Sequence, residues 1–122
     1  MIAVILASGA PDRLYTGLSL LVATAAEGEP AHGLATFGAL GALLREELPP
    51  PPAEVVEAAV FARTLAELRA TAAELPACRL WACAAAVETT GADPEAVAAR
   101  FAGVRSITRF LRETGEARLV VV

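Results

Sequence analysis

The sequence predicts an α/β protein, a three-layer α/β/α sandwich on a mainly parallel sheet of about five strands. Three observations point there. Short apolar runs such as "IAVILA" and "ARLVVV" are too short for helices and carry no polar alternation, as suits strands covered on both faces. Longer segments with apolar residues at helical spacing stand between them. Glycines and prolines punctuate the changes from one kind to the other. Strands alternating with helices fold as a parallel sheet with helices on both faces.

Each element has its own warrant. Ile2 to Ala7 reads as the first strand and "SGAPDR" as a tight polar loop. Asp12 is the expected N-cap of a helix from Arg13 to about Glu27, with Leu14, Leu18, Leu21, Val22 and Ala25 on one stripe and Gly28 ending it. His32 to Phe37 is the expected second strand and Ala39 to Glu47 a short helix. Pro49 to Pro52 cannot lie inside a helix and reads as a spacer or a lid segment. A long helix is expected over Glu54 to Glu74, with Phe61, Leu65, Leu68, Ala72 and Leu75 in phase and Pro76 stopping it. Cys78 to Cys83 is the third strand, Ala84 to Thr90 its helix, and Gly91 the stop. Asp93 and Pro94 open the next helix as N-cap and first residue. "FAGV" is a short fourth strand, Ser106 caps Ile107 to Thr114, and Ala117 to Val122 is the last strand. Neither side of the proline run is long enough to fold alone, so residues 1–122 are expected to form one domain.

Composition narrows the function classes. The 122 residues are 56% hydrophobic, which supplies ample material for a core. The longest low-charge stretch, Leu14 to Ala26, is shorter than the roughly 18 residues a membrane span needs, so no membrane segment is expected. The apolar start lacks a basic leading region, and a cytoplasmic location is the expectation. Net charge is −4, all ten basic residues are arginine, and none form a stripe, which argues against nucleic acid as a partner. The single histidine, His32, and two cysteines do not make a zinc site. The Ser8-Gly9 loop lacks a dinucleotide, Walker or flavodoxin phosphate pattern, so no cofactor is expected.

The chemistry then rests on cysteine. On one strand, Cys78 and Cys83 lie roughly 16 Å apart and on opposite faces, so they do not pair in a disulfide. Cys78 starts the strand and reads as packing, and from spacing alone a small buried hydrophobe is the ordinary reading of Cys83 as well. Cys83 falls where strand meets helix, at the carboxyl edge where ligands gather in such sheets. Helix N–H groups there favour thiolate over thiol, and Arg13 or Arg105 at the same edge would add to this. Trp81 shares strand parity with Cys83 and is read as core, with a wall of the cysteine pocket as the alternative. Glu88 has no evident tie to the thiol, and no Cys-His-Asp arrangement can be assembled. A peroxide-reducing role is disfavoured because Cys78 cannot readily resolve a sulfenic acid on Cys83 within one chain.

The opening through "HGLATFGALGALL", with its Asp-Arg pair, amphipathic helix and Thr36-Phe37-Gly38 turn, resembles the DsrE/DsrF-like sulfur-relay family. "ACAAAVETTG" is similar to that family's strand-to-helix cysteine signature, which places its cysteine at Cys83. Gly38 follows Phe37 directly here, a small departure from the family's turn. "GVRSITRFLRETGEARLVVV" resembles the closing helix and strand. The resemblance implies a three-layer fold, homo-oligomers, and a persulfide carrier or sulfurtransferase in which Cys83 takes sulfur from a donor protein and passes it to an acceptor protein. Ser8, Arg13, Thr36 and Phe37 are the expected pocket neighbours. The rival expectation is a non-catalytic oligomeric subunit or small-ligand binding module of the same fold with an idle cysteine.

Overall fold

The computed structural model describes all 122 residues. The chain runs β1 (Ile2–Leu6), α1 (Pro11–Ala26), β2 (Ala31–Ala35), α2 (Phe37–Leu44), α3 (Ala58–Glu74), β3 (Cys78–Cys83), α4 (Ala84–Thr90), α5 (Pro94–Arg100), β4 (Val104–Arg105), α6 (Ile107–Glu113) and β5 (Arg118–Val121). The five strands form one sheet in the order β4-β3-β2-β1-β5, and every pairing is parallel. The α/β layering read from the sequence is therefore the architecture of the chain.

Connections from β1 to β2, β2 to β3 and β3 to β4 all step the same way across the sheet. Right-handed crossovers lay α1, α3 and the α4–α5 pair on one face, and the return from β4 to β5 carries α6 over the other. The first face is closed tightly. Leu14, Leu18 and Leu21 of α1 and Leu65 of α3 are fully buried, each contributing about 2 kcal/mol by leaving water. Gly33 makes this closeness possible, because a Cβ there would stand 2.6 Å from Leu80 and 2.9 Å from Leu21. Tyr15 and Phe61 stack at 4.9 Å between ring centroids and join α1 to α3. The second face is thinner. Phe110 anchors α6, but Leu119 and Val121 of β5 remain 50% and 63% exposed.

Several boundaries differ from the sequence reading. Asp12 is not the N-cap of α1: Ala10 is, with Pro11 at the first helical position and Asp12 in the first turn. Proline's fixed φ and missing N–H start the helix, and the acidic side chain complements the helix dipole. β2 ends at Ala35, and Phe37 opens α2 instead of closing the strand. Both the amide and the hydroxyl of Thr36 donate to the Leu6 carbonyl, at 3.0 and 3.2 Å, which ends the ladder there. α3 begins at Ala58, because a turn in which the Val55 amide donates to the Pro52 carbonyl occupies the preceding residues. β4 is Val104 and Arg105, later than the "FAGV" strand expected. The caps at Asp93 and Ser106 form as read, accepting from the Glu95 and Arg109 amides. Gly91 ends α4 in the left-handed conformation, at φ 65°. No helix is long and apolar enough to cross a membrane.

Candidate functional site

Cys83 is the last residue of β3 and the N-cap of α4, so the strand-to-helix junction lies where the sequence placed it. Its φ and ψ of −67° and 124° are those of an ordinary N-cap, yet the thiol makes no hydrogen bond to the helix end. Sulfur is a poor acceptor for those amides, so the start of α4 is left with N–H groups that no side chain satisfies. The residue is 1% exposed. Both cysteines are free thiols.

The register sets the neighbours of Cys83. Leu6 pairs with Ala35, Ala35 with Ala82, and Cys83 with Arg105. One step beyond the paired rungs therefore stand Ala7, Thr36 and Cys83, side by side along the carboxyl edge. The turns after β1 and β2 meet there backbone to backbone: a Cβ on Gly9 would lie 2.5 Å from the Gly38 carbonyl oxygen. A cavity of about 280 Å³ opens beside this contact, lined by Gly9, Gly38, Gly41, Ala42, Arg45 and Pro49. The proline run thus flanks the edge at Pro49.

The expected pocket residues divide between structure and exposure. The Ser8 hydroxyl accepts from the Ala10 amide at 3.1 Å and shapes the entry to α1. Thr36 is buried, and its hydroxyl is spent on Leu6. Arg13 is solvent-exposed and forms no ion pair. Phe37 is 52% exposed and holds φ 26°, a region that non-glycine residues rarely enter. A strained backbone beneath an exposed aromatic marks this turn as the most distinctive feature of the edge.

Two other expectations change. Arg105 does not stand free beside the thiol. Its guanidinium lies 3.8 Å over the Trp81 ring and donates to Glu113 at 3.2 Å. Arg109 also binds Glu113, at 2.7 Å, and with Arg105 holds its carboxyl below the usual range. Trp81 packs against the core but is only half-buried, with its indole between Arg105 and Gly103. A Cβ at Gly103 would come within 3.1 Å of the indole. Glu88 is exposed.

The larger opening lies at the other end of β3, where sequence reasoning placed nothing. A cavity of about 590 Å³ separates α3 from α5 and has Cys78 in its wall. Burial pushes the Cys78 thiol up to about 11, so it is neutral at physiological pH. The signal in the sequence was slight: alanines at 66, 70, 73, 99 and 102 leave space that larger side chains would fill. No group of three or more His, Cys, Asp or Glu side chains is arranged so that it could hold a metal ion. Compared with models of known protein families and with the sequences of curated proteins, the chain matches none.

Proposed function

We propose that the chain is a sulfur (persulfide) carrier of the DsrE/DsrF-like kind, working in the cytoplasm and using Cys83. One observation carries the reading: Cys83 ends β3 and caps α4 with its thiol bound to nothing at the helix end. The Cys83 thiolate attacks the outer sulfur of a donor persulfide, the S–S bond breaks, and the donor leaves as its own thiolate. Attack by an acceptor thiolate on the new outer sulfur returns Cys83 to its starting state, with no net oxidation. At 1% exposure the thiol must first be uncovered. The turn at Phe37, strained and exposed, follows Thr36, the register neighbour of Cys83, and its movement is the proposed means of uncovering the thiol. Self-association through the thin face is part of the proposal, supported by Leu111, Leu119 and Val121, all exposed there.

The burial of Cys83, together with a larger cavity elsewhere, favours a second reading, a binding module or oligomeric subunit with an idle cysteine. Intact mass after incubation with a persulfide donor decides between them. The expected result is a gain of one sulfur, reversed by reductant, absent in Cys83→Ser and retained in Cys78→Ser. No gain, with Cys83 silent to alkylation until the chain unfolds, makes it a packing residue.

A further inference from the structure

The cavity between α3 and α5 has the dimensions of a ligand site and an excess of positive charge in its lining. Its volume of about 590 Å³ falls in the range of small-molecule pockets, and eleven of the sixteen lining residues are hydrophobic, among them Leu43 and Phe101. The charged lining is three arginines, Arg69, Arg79 and Arg100, against one glutamate, Glu74, in a chain whose net charge is −4. Glu74 and Arg79 are exposed, Arg69 and Arg100 half-buried, and none of these four takes part in an ion pair.

Arg69 is held in place. Its two terminal nitrogens donate to the Arg45 and Glu46 carbonyls at 2.7 and 2.9 Å, which fixes the guanidinium against the end of α2 and leaves further N–H groups unassigned. Burial and then the nearby Arg100 charge both weaken its hold on its proton, with Glu46 acting in the opposite sense. Two half-buried guanidinium groups that feel each other across an apolar cavity are an unfavourable pair until an anion lies between them. Cys78, neutral in the same wall, adds no negative charge.

We infer that this cavity binds an amphipathic anion, with a carboxylate or phosphate head bridging Arg69 and Arg100 and an apolar body lying along Leu43, Phe101 and the alanines of α3 and α5. The fork of Arg100 and the N–H groups Arg69 has left after its two carbonyl bonds suit either oxyanion, and the alanine walls suit a flexible chain. The site is independent of Cys83 and stands whether or not that thiol carries sulfur.

Calorimetric titration of the full chain with decanoate, decyl phosphate and decylammonium tests it. At least one of the two anions is expected to bind saturably at one site, at least tenfold more tightly than decylammonium; the tighter anion identifies the head group. Arg100→Glu is expected to weaken that binding tenfold or more with the circular dichroism spectrum unchanged. Ala70→Leu, which fills the cavity without altering charge, is expected to do the same and covers the case in which Arg100→Glu fails to fold. Absence of saturable anion binding, equal binding of decylammonium, or undiminished binding in a folded variant would overturn the assignment.

Discussion

The two ends of β3 carry one cysteine each and are otherwise opposites. At the carboxyl end Cys83 is buried, and along the same edge two turns touch backbone to backbone at Gly9 and Gly38, with Thr36 tying β2 to β1. At the amino end Cys78 borders the larger cavity, with arginines that lack carboxylate partners. Sheets of this class open toward ligands where the direction of the crossovers reverses. With the order β4-β3-β2-β1-β5 that reversal falls between β1 and β5, two strands away from Cys83. There the Ala7 amide donates to the Val122 carbonyl at 2.8 Å. A cysteine at a carboxyl edge is thus placed for chemistry only if its part of the edge is open. Here the exposed Phe37 turn is the one feature of that edge with strain to release.

The contrast has a steep test in side-chain size. Gly9→Ala is expected to cost about 2 kcal/mol, because its Cβ meets a carbonyl oxygen at 2.5 Å and the two turns must part. Ala73→Leu, in the cavity wall at the other end, should change stability by no more than about 0.5 kcal/mol. Denaturant unfolding of both variants measures the difference. Equal costs would mean that the two ends are packed alike.

Oxygen for sulfur makes a finer test. Cys78→Ser puts a hydroxyl in a buried strand position with no helix end to bind, at an expected cost of about 1–2 kcal/mol. In Cys83→Ser the hydroxyl can accept from the first amides of α4, and that capping offsets its burial. The expected change is within about 0.5 kcal/mol. A larger loss at Cys83 than at Cys78 would show that the thiol's packing, and not its place at the helix end, governs the site.

The smallest expected effect is a pH dependence near the amino end, where His32 pairs in register with Arg79, the residue after Cys78. Burial first, then the charge of Arg79, lowers the His32 pKa below its ordinary 6.5; Glu113 opposes this and the Met1 amino group adds to it. The unfolded chain therefore takes up the proton more readily, so stability is intact above about pH 6.5 and declines as pH falls through the lowered folded value. Melting temperature should fall between pH 7 and pH 5 by more in the wild type than in His32→Gln. Parallel profiles would remove His32 from the account.

How much of this was legible in the sequence follows from the range of the forces involved. Strand and helix segments, the caps at Asp93 and Ser106, and the stop at Gly91 depend on neighbours a few residues away, and the pattern of residues determined them. The Cys83 junction was legible for the same reason: the apolar run Leu80 to Cys83 ends and an alanine-rich helix begins within one residue. Between Asp12 and Pro11 two local start signals compete, and proline's fixed φ and missing N–H set the first helical position. Phe37 looked like a strand end because nothing nearby in sequence announces that Thr36 donates twice to Leu6, thirty residues away. The order of the strands, the burial of Cys83, the engagement of Arg105 with Trp81 and Glu113, and the gathering of Arg69 and Arg100 about one cavity were decided only by tertiary structure. Each depends on which residues distant along the chain come to share a few ångströms of space. Periodicity records which face of an element is apolar, but not which other element covers it or where a gap is left.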